Sequence, residues 1–551
     1  MRSLIGLPRD MLRQRIWYGV RRPLFGSGLY GLTLPTRVPA GPSPAPLSDS
    51  WPGNAAQGSA IIQGMFTFAG QTIREPAPLW SPVGATRPWL AELHGFEWLR
   101  DLRAVGGEGG RRAGRQLIER WIDDNSRWDA VSWSPELIGR RLAAWLSHFE
   151  FLGVGSDALF RGRYLLSAAR QAAHLARVLP AGLGGSELLT AIIGLIQAGL
   201  VLPRGGNWNL LGRRLLEHHL PRQLRADGGH CERSPTIHLA LLRRLTDLRA
   251  AIGATGQAEP DNLDNAIAGL AQMIRLFQHG DGRLALFNDS NEEEDWLIDM
   301  ALGRADGKGL AMKQAPDSGF QRLAAGRTVA IVDAGLPALP GADEHVHAGT
   351  LSFEMSVGKE RLVVNCGAHP GGEDWWRAQR STAAHSTLVV DDTNSMAFAD
   401  DGGVVRGPHE VTCRRQDSDG NTWLEMSHDG YREVYDLVHQ RRLYLSAGGD
   451  DLRGEDRLEG AGRRPFAIRF HLHPEVNAET SHDGQAAILR LASGAGWRLR
   501  ATGGPVTLNE SIYLGQRGEQ RRSQQAVITG ETAGEGATIK WAITREARTR
   551  A

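Results

Sequence analysis

Three short segments hold the side chains whose types and spacing could do chemistry. The first runs Asp227-Gly228-Gly229-His230-Cys231-Glu232-Arg233-Ser234-Pro235-Thr236-Ile237-His238. Asp-Gly-Gly is a turn signal. Ser234 before Pro235 reads as an N-cap and the first helical position. His230, Glu232 and Arg233 therefore sit just ahead of a helix start, where free N–H groups and partial positive charge favour an anion such as a carboxylate. A capped helix with solvated polar neighbours fits the same residues. The second segment places His345 and His347 two apart in HVHAG. In an extended chain both imidazoles point to one side, which is half of a metal site, or a base with its orienting partner. With 18 His in 551 residues such pairs also arise by chance. The third segment carries His385, ahead of an apolar run and Asp391-Asp392. A further pair, His471 and His473, shares with Arg469 the face opposite Phe470, which is either a solvated sheet face or a polar cleft wall.

Two grammars position these residues. From about Trp89 to Arg304 apolar residues recur at helical spacing: Trp98, Leu99 and Leu102; Leu117, Ile118 and Trp121; Leu137, Leu142 and Trp145. Further amphipathic stretches cover 159–179, 188–202, 210–224, 236–251 and 263–277, a succession of helical hairpins. After Ser318 the period becomes two, as in Leu351, Phe353, Met355 and Val357, or Phe466, Ile468, Phe470 and Leu472. Turn clusters such as Asp400-Asp401-Gly402-Gly403 separate these runs. The expected domains are an irregular lead over 1–75, a helical domain over 76–317 and packed antiparallel sheets over 318–551. The lead contains a strand-like piece at Met65–Ile73, a Pro-, Ser- and Gly-rich linker at Val38–Ala60, and a basic segment, Met11–Phe25, that suits a surface helix.

Composition sets the outer limits. Hydrophobic residues are 41% and charged residues 23%, ordinary globular usage. Lys and Arg total 63 against 62 Asp and Glu, so bulk charge does not point to nucleic acid. Only four of the basic residues are lysine, an arginine excess that fits genomic bias but also leaves forks for anionic ligands. Cys231, Cys366 and Cys413 are too few and too dispersed for a disulfide framework or a Cys-rich zinc site. Arginines and an aspartate interrupt the apolar runs near the start, so neither a secretory signal nor a transmembrane segment is expected, which implies a cytoplasmic location.

Together the blocks DGGHCERSPTIH, HVHAGTLSFEM, RLVVNCGA (Arg361–Ala368) and RSTAAHSTLVVDD (Arg380–Asp392) resemble the heparinase II/III-like polysaccharide lyases. The resemblance spans about Trp89 to Ile543. It implies an incomplete (α/α) toroid of helical hairpins followed by an antiparallel β-sandwich. It also implies β-elimination on a uronic-acid-containing polysaccharide, with no required cofactor, and a periplasmic or cell-envelope setting that conflicts with the cytoplasmic expectation. That reaction needs a group to neutralise the uronate carboxylate, a base for the C5 proton and an acid for the leaving oxygen. In the family a Tyr and a His share the proton work. Here the Tyr position falls on Ile237, and no Asn stands at Gly184–Ser186, where the family places its carboxylate-neutralising residue. The resemblance leaves His345 as the catalytic His, with His230 and Glu232 beside it. Arg233, His238, Trp208, Trp376 and His471 are candidate substrate contacts. His347 and His385 resemble metal ligands of some members, and the usual third partner, an Asp, is Asn365 here, a weaker neutral donor for an optional Zn2+. The resulting expectation is a lyase with His-based proton transfer acting on an acidic polysaccharide. The alternative is a non-catalytic protein of the same fold that binds acidic glycans. A glycoside hydrolase would need a second carboxylate opposite Glu232.

Overall fold

The computed structural model describes residues 6–37, 47, 49–306, 309–400, 402–482 and 484–546. Of the expected Pro-rich linker, residues 38–46 and 48 lie outside the described residues, as does Asp401 of the turn cluster. The linker expectation fails at its end: Asn54 accepts hydrogen bonds from the N–H groups of Ala56 and Gln57 and starts a helix, Ala55–Ile62. The strand-like piece after it is a hairpin of Met65–Phe68 and Gln71–Arg74.

Two compact units emerge. The helical unit comprises Gly6–Gln223 with Leu241–Ile267. Its helices start where caps allow. Asp157 accepts from the Phe160 N–H to open Ala158–Val178, and Thr86 does the same for Arg87–Gly95 at Trp89. Helix Gly185–Val201 is buried almost all round, because it packs against both Pro135–Ser147 and Gly206–Gln223. Glycine permits this approach: a Cβ on Gly139 would lie 2.6 Å from the Ala191 Cα, and one on Gly194 would lie 2.3 Å from the Gly139 carbonyl. The tryptophans are mostly core. Trp80, Phe96, Trp98, Trp121, Trp145 and Tyr164 form one aromatic cluster.

The second unit comprises Leu224–Ala240 and the chain from Ala268 on. Its two antiparallel sheets close over one apolar core. One sheet orders eight strands: Val411–Ser418, Asn421–Tyr431, Leu437–Leu445, Asp451–Glu459, Gly536–Arg545, Gly496–Thr502, Ala486–Arg490 and Asn477–Thr480. The other contains Pro465–Leu472, Glu360–Val364, Phe353–Val357 and Thr328–Asp333 at its centre, with Leu388–Val390 paired to Pro465–Leu472. Phe353 stacks on Trp541 across the core at 5.6 Å. On the open face of the eight-stranded sheet, Arg414, Glu425, Arg442, Glu455 and Lys540 lie side by side on successive strands, an alternating-charge row that keeps this face solvated.

Candidate functional site

The site is assembled within the second unit from three loops and one helix start. Helix Pro235–Ala254 begins as the Ser-Pro pair predicts. Ser234 Oγ meets Ser290 Oγ at 2.9 Å, and Ser290 Oγ accepts from the Thr236 N–H. The helix start is therefore capped partly from a distant segment, 288–291. In that segment Asn288 and Asp289 both adopt left-handed backbone, at φ 49° and 59°. Asn and Asp tolerate that region better than other non-glycine residues. The double left-handed step aims both side chains inward. Asn288 Oδ1 accepts from the His347 N–H at 3.1 Å, its Nδ2 donates to the Arg233 carbonyl at 3.1 Å, and Asp289 Oδ2 meets His345 Nδ1 at 2.7 Å.

The stretch around His345 and His347 is irregular, not extended, so the two imidazoles do not share a face. His345 keeps 23% of its side chain exposed and Asp289 31%. His347 is buried and turned to His385. Two arginines hold these loops in place. Arg380, buried, donates to the carbonyls of Val346 and Gly402 and lies over the rings of Trp376 and Phe398. Trp376 thus packs on Arg380. Arg441 is anchored by Asp456, and its Nη1 donates to the Leu351 and Ser386 carbonyls.

Electrostatics divide the histidines. Burial alone would favour neutral His345. The Asp289 hydrogen bond and charge, with smaller contributions from Glu232 and Glu344, instead raise it to about 10. The same contact outweighs burial of Asp289 and holds it at about 2. His345 is therefore an imidazolium at neutral pH, and its Nε2 faces Glu232 Oε2 at 3.9 Å. His230 is fully buried, and burial with neighbouring His238 and His345 pushes it well below the ordinary value.

The expected site residues separate into two groups. Glu232, His345 and the missed Asp289 form one line, with His230 packed behind: the Glu232 N–H points at its Nδ1, 3.4 Å away. The structure gives Arg233, His238 and His471 other partners than a ligand. Arg233 forks onto Asp333, donates to the Ser318 carbonyl at 2.9 Å and covers Phe320. His238 donates from Nδ1 to the Ser234 carbonyl and accepts the His230 N–H at Nε2, so both its nitrogens hold backbone in place. His471 is buried, with Nε2 on the Ala383 carbonyl and Nδ1 on Ser511, because the 382–384 turn covers the sheet face expected to be solvated or a cleft wall. Trp208, in the helical unit, packs against that unit's core.

The residues for zinc do not fit. His385 Nδ1 donates to the Ser381 carbonyl, leaving its Nε2 lone pair for the His347 Nδ1–H at 3.3 Å. Asn365 Oδ1 accepts the Ser386 N–H, and its buried Nδ2 has no partner. Among the described residues no group of three His, Cys, Asp or Glu could hold a metal. Two neutral imidazoles without an anionic third donor make a poor zinc centre.

Sequence reasoning missed Asp289. Its only signal was the turn-forming string Asn288-Asp289-Ser290-Asn291 ahead of a helix.

Comparison with known proteins gives the family and the fold. Residues 113–302 match the heparinase II/III N-terminus model, and residues 307–542 match heparinase II/III-like, C-terminal. A relative described as FtsZ-localized protein C, from Caulobacter vibrioides (strain NA1000 / CB15N), is 34% identical over 562 residues, covering 96% of this chain and 94% of its own. A heparin-sulfate lyase of Bacteroides thetaiotaomicron is 22% identical over 233 residues, 38% of this chain and 33% of that protein. Among solved structures, a heparinase III superposes with a TM-score of 0.72 at 16% identity, over 99% of this chain and 92% of that one. The heparan sulfate lyase HepC from Pedobacter heparinus gives 0.59 at 16% identity, over 98% and 88%.

Proposed function

Because this chain belongs to the heparinase II/III-like polysaccharide lyase family and has its fold, we propose that it cleaves a uronic-acid-containing polysaccharide by β-elimination, with proton transfer centred on His345. The observation that carries this reading is the line Glu232–His345–Asp289. Elimination breaks the C5–H and C4–O bonds and forms the C4–C5 double bond. His345, already protonated, is the acid that delivers a proton to the leaving glycosidic oxygen, and its positive charge also favours the nearby uronate carboxylate. This departs from the reading of His345 and His347 as a base with its orienting partner. Glu232 is the candidate base for C5, and Asp289 keeps the imidazole charged and oriented. In a hydrolase reading Asp289 would be the second carboxyl, but the His345 ring stands between it and Glu232, with Nδ1 on Asp289 at 2.7 Å and Nε2 facing Glu232 at 3.9 Å.

The test is incubation of the folded protein with a panel of uronate polymers, following the ultraviolet absorbance of an unsaturated sugar. His345→Gln and Glu232→Gln should each abolish the signal. Absence of signal from every polymer overturns the proposal.

Ile237 favours a second reading, binding without turnover. Ile cannot transfer a proton, and the helix start presents no phenol at that position. The description of the Caulobacter relative as FtsZ-localized also suits a protein that acts through binding. Saturable binding of an acidic oligosaccharide, with no new absorbance and unchanged by Glu232→Gln, supports this reading over the first.

A further inference from the structure

The N-terminal helix of the helical unit, Arg9–Phe25, is packed inside out. A helix lying on a globular domain normally turns its apolar stripe inward. Here the inward side is aromatic and polar. Phe25 meets the rings of Tyr30, His174 and Trp128 at 5.1, 5.2 and 5.9 Å. Tyr18 packs on Phe25, and the Arg15 guanidinium donates to the Gly182 carbonyl. The outward side is aliphatic: Ile16, Val20 and Leu24 form one row at four-residue spacing, with Trp17 beside it. A second short helix, Gly28–Thr33, capped by Ser27 at Tyr30, adds Leu29 and Leu32. These six side chains are between 42% and 77% exposed. They are six of the nineteen large exposed apolar residues on the described surface, gathered within seventeen positions. Chance scatter of single surface hydrophobics does not produce such a patch.

The charge around the patch selects its partner. Arg9, Arg13 and Arg21 are exposed, and the Arg21 guanidinium sits 3.6 Å from the Trp17 ring centroid. Asp10 is the only acidic residue between positions 6 and 37. No helix among the described residues is long and apolar enough to cross a membrane. Aliphatic side chains on one face, a tryptophan at the margin and arginines without acidic counterparts match the interface of an anionic bilayer.

We infer that Arg9–Thr33 docks the protein on the surface of an anionic lipid membrane, with Ile16, Val20, Leu24, Leu29 and Leu32 entering the acyl boundary and Arg9, Arg13 and Arg21 at the headgroups. The inference goes beyond the lyase reading and stands whether or not His345 supports turnover.

The test is sedimentation of the full chain with vesicles of equimolar phosphatidylglycerol and phosphatidylethanolamine, against vesicles of phosphatidylcholine. The native chain should sediment with the anionic vesicles and do so less at high salt. Val20→Glu with Leu24→Glu, and separately Leu29→Glu with Leu32→Glu, should weaken binding by at least about tenfold. Arg9→Gln, Arg13→Gln and Arg21→Gln together should remove the preference for phosphatidylglycerol. Unchanged thermal unfolding of each variant shows that the domain still folds. A native chain that stays in solution with anionic vesicles overturns the inference, and so do glutamate variants that bind like the native chain. A native dimer that the glutamate variants convert to monomer, without lipid binding, assigns the patch to a second copy and also overturns it.

Discussion

Replacing Asp289 by Asn keeps the size of the side chain and removes its charge. In the native protein burial opposes the His345 cation, and the Asp289 contact reverses that, moving His345 from 6.5 to about 10. At ~1.4 kcal/mol for each tenfold step, this is about 5 kcal/mol of preference for the protonated ring. With the two side chains 23% and 31% exposed, water screens part of that, and a loss on the order of 3 kcal/mol is expected in the variant. The sign follows from the two directions. His345 is raised in the folded state, so its stabilisation is fully present below about 6.5 and is lost as pH rises through about 10. Asp289 is depressed, so its stabilisation is present above 3.8 and is lost as pH falls through about 2. The stability difference between native protein and Asp289→Asn should therefore be largest between those limits, roughly pH 4 to 6.5, and vanish above about pH 10. Urea unfolding across pH measures it. Histidine-labelled NMR, with the His345 resonance identified by its loss in His345→Gln, measures the titration directly. The variant should return His345 to 6.5 or below, and any elimination activity should fall with the loss of the acid. A native His345 that titrates near 6.5, or a stability difference as large at pH 10 as at pH 6, refutes the argument.

Three other outcomes are expected. Arg233→Ala should destabilise by about 3–5 kcal/mol in urea unfolding, because Asp333 is left buried and charged without its partner; the loss should appear without any ligand present. Native protein should show no zinc-dependent change in Tm, whereas Asn365→Asp, which puts a carboxylate where Asn365 now meets the Ser386 N–H next to His385, should gain one that His385→Ala removes. Ile237→Tyr should place a phenol on the first turn of helix Pro235–Ala254, just after the loop that carries Glu232. If the elimination machinery is otherwise complete, the rate of product absorbance should rise by about a hundredfold or more, the range of one added general acid–base group.

Much of the architecture was legible because periodicity reports burial. The helix at Leu263–Phe277 was bounded correctly by its apolar spacing, and the alternation of Phe466, Ile468, Phe470 and Leu472 falls within the strand Pro465–Leu472. The Ser-Pro helix start was legible for the same local reason: a cap and a fixed φ act within a few residues. The site was only partly legible. Its histidines stood out by type, but their partners were invisible, because Asp289 reaches His345 from 56 positions away and Arg441 reaches the Ser386 carbonyl from 55. The expectation for His345 and His347 failed on backbone shape. An extended chain would have aligned them, and the irregular loop held by Arg380 instead sends one to the Asp289 carboxylate and the other into the interior.

That divergence explains why two histidines of similar sequence context differ so sharply in charge. His345 and His347 are separated by one residue, and both are enclosed. Burial pushes each toward the neutral form. Burial dominates for His347, which faces another imidazole, His385, itself lowered to about 4; the Asp289 charge opposes this only in part, and His347 stays well below the ordinary value. His345 faces a carboxylate at 2.7 Å, and that contact, with smaller help from Glu232 and Glu344, outweighs burial. The contact exists only because Asn288 and Asp289 take the left-handed backbone, which lets one short segment hold the His347 N–H and the His345 ring at once. The charge at this site therefore rests on the 288–289 turn as much as on the histidines, and an insertion or a β-branched residue there should erase the charge on His345 without touching either imidazole.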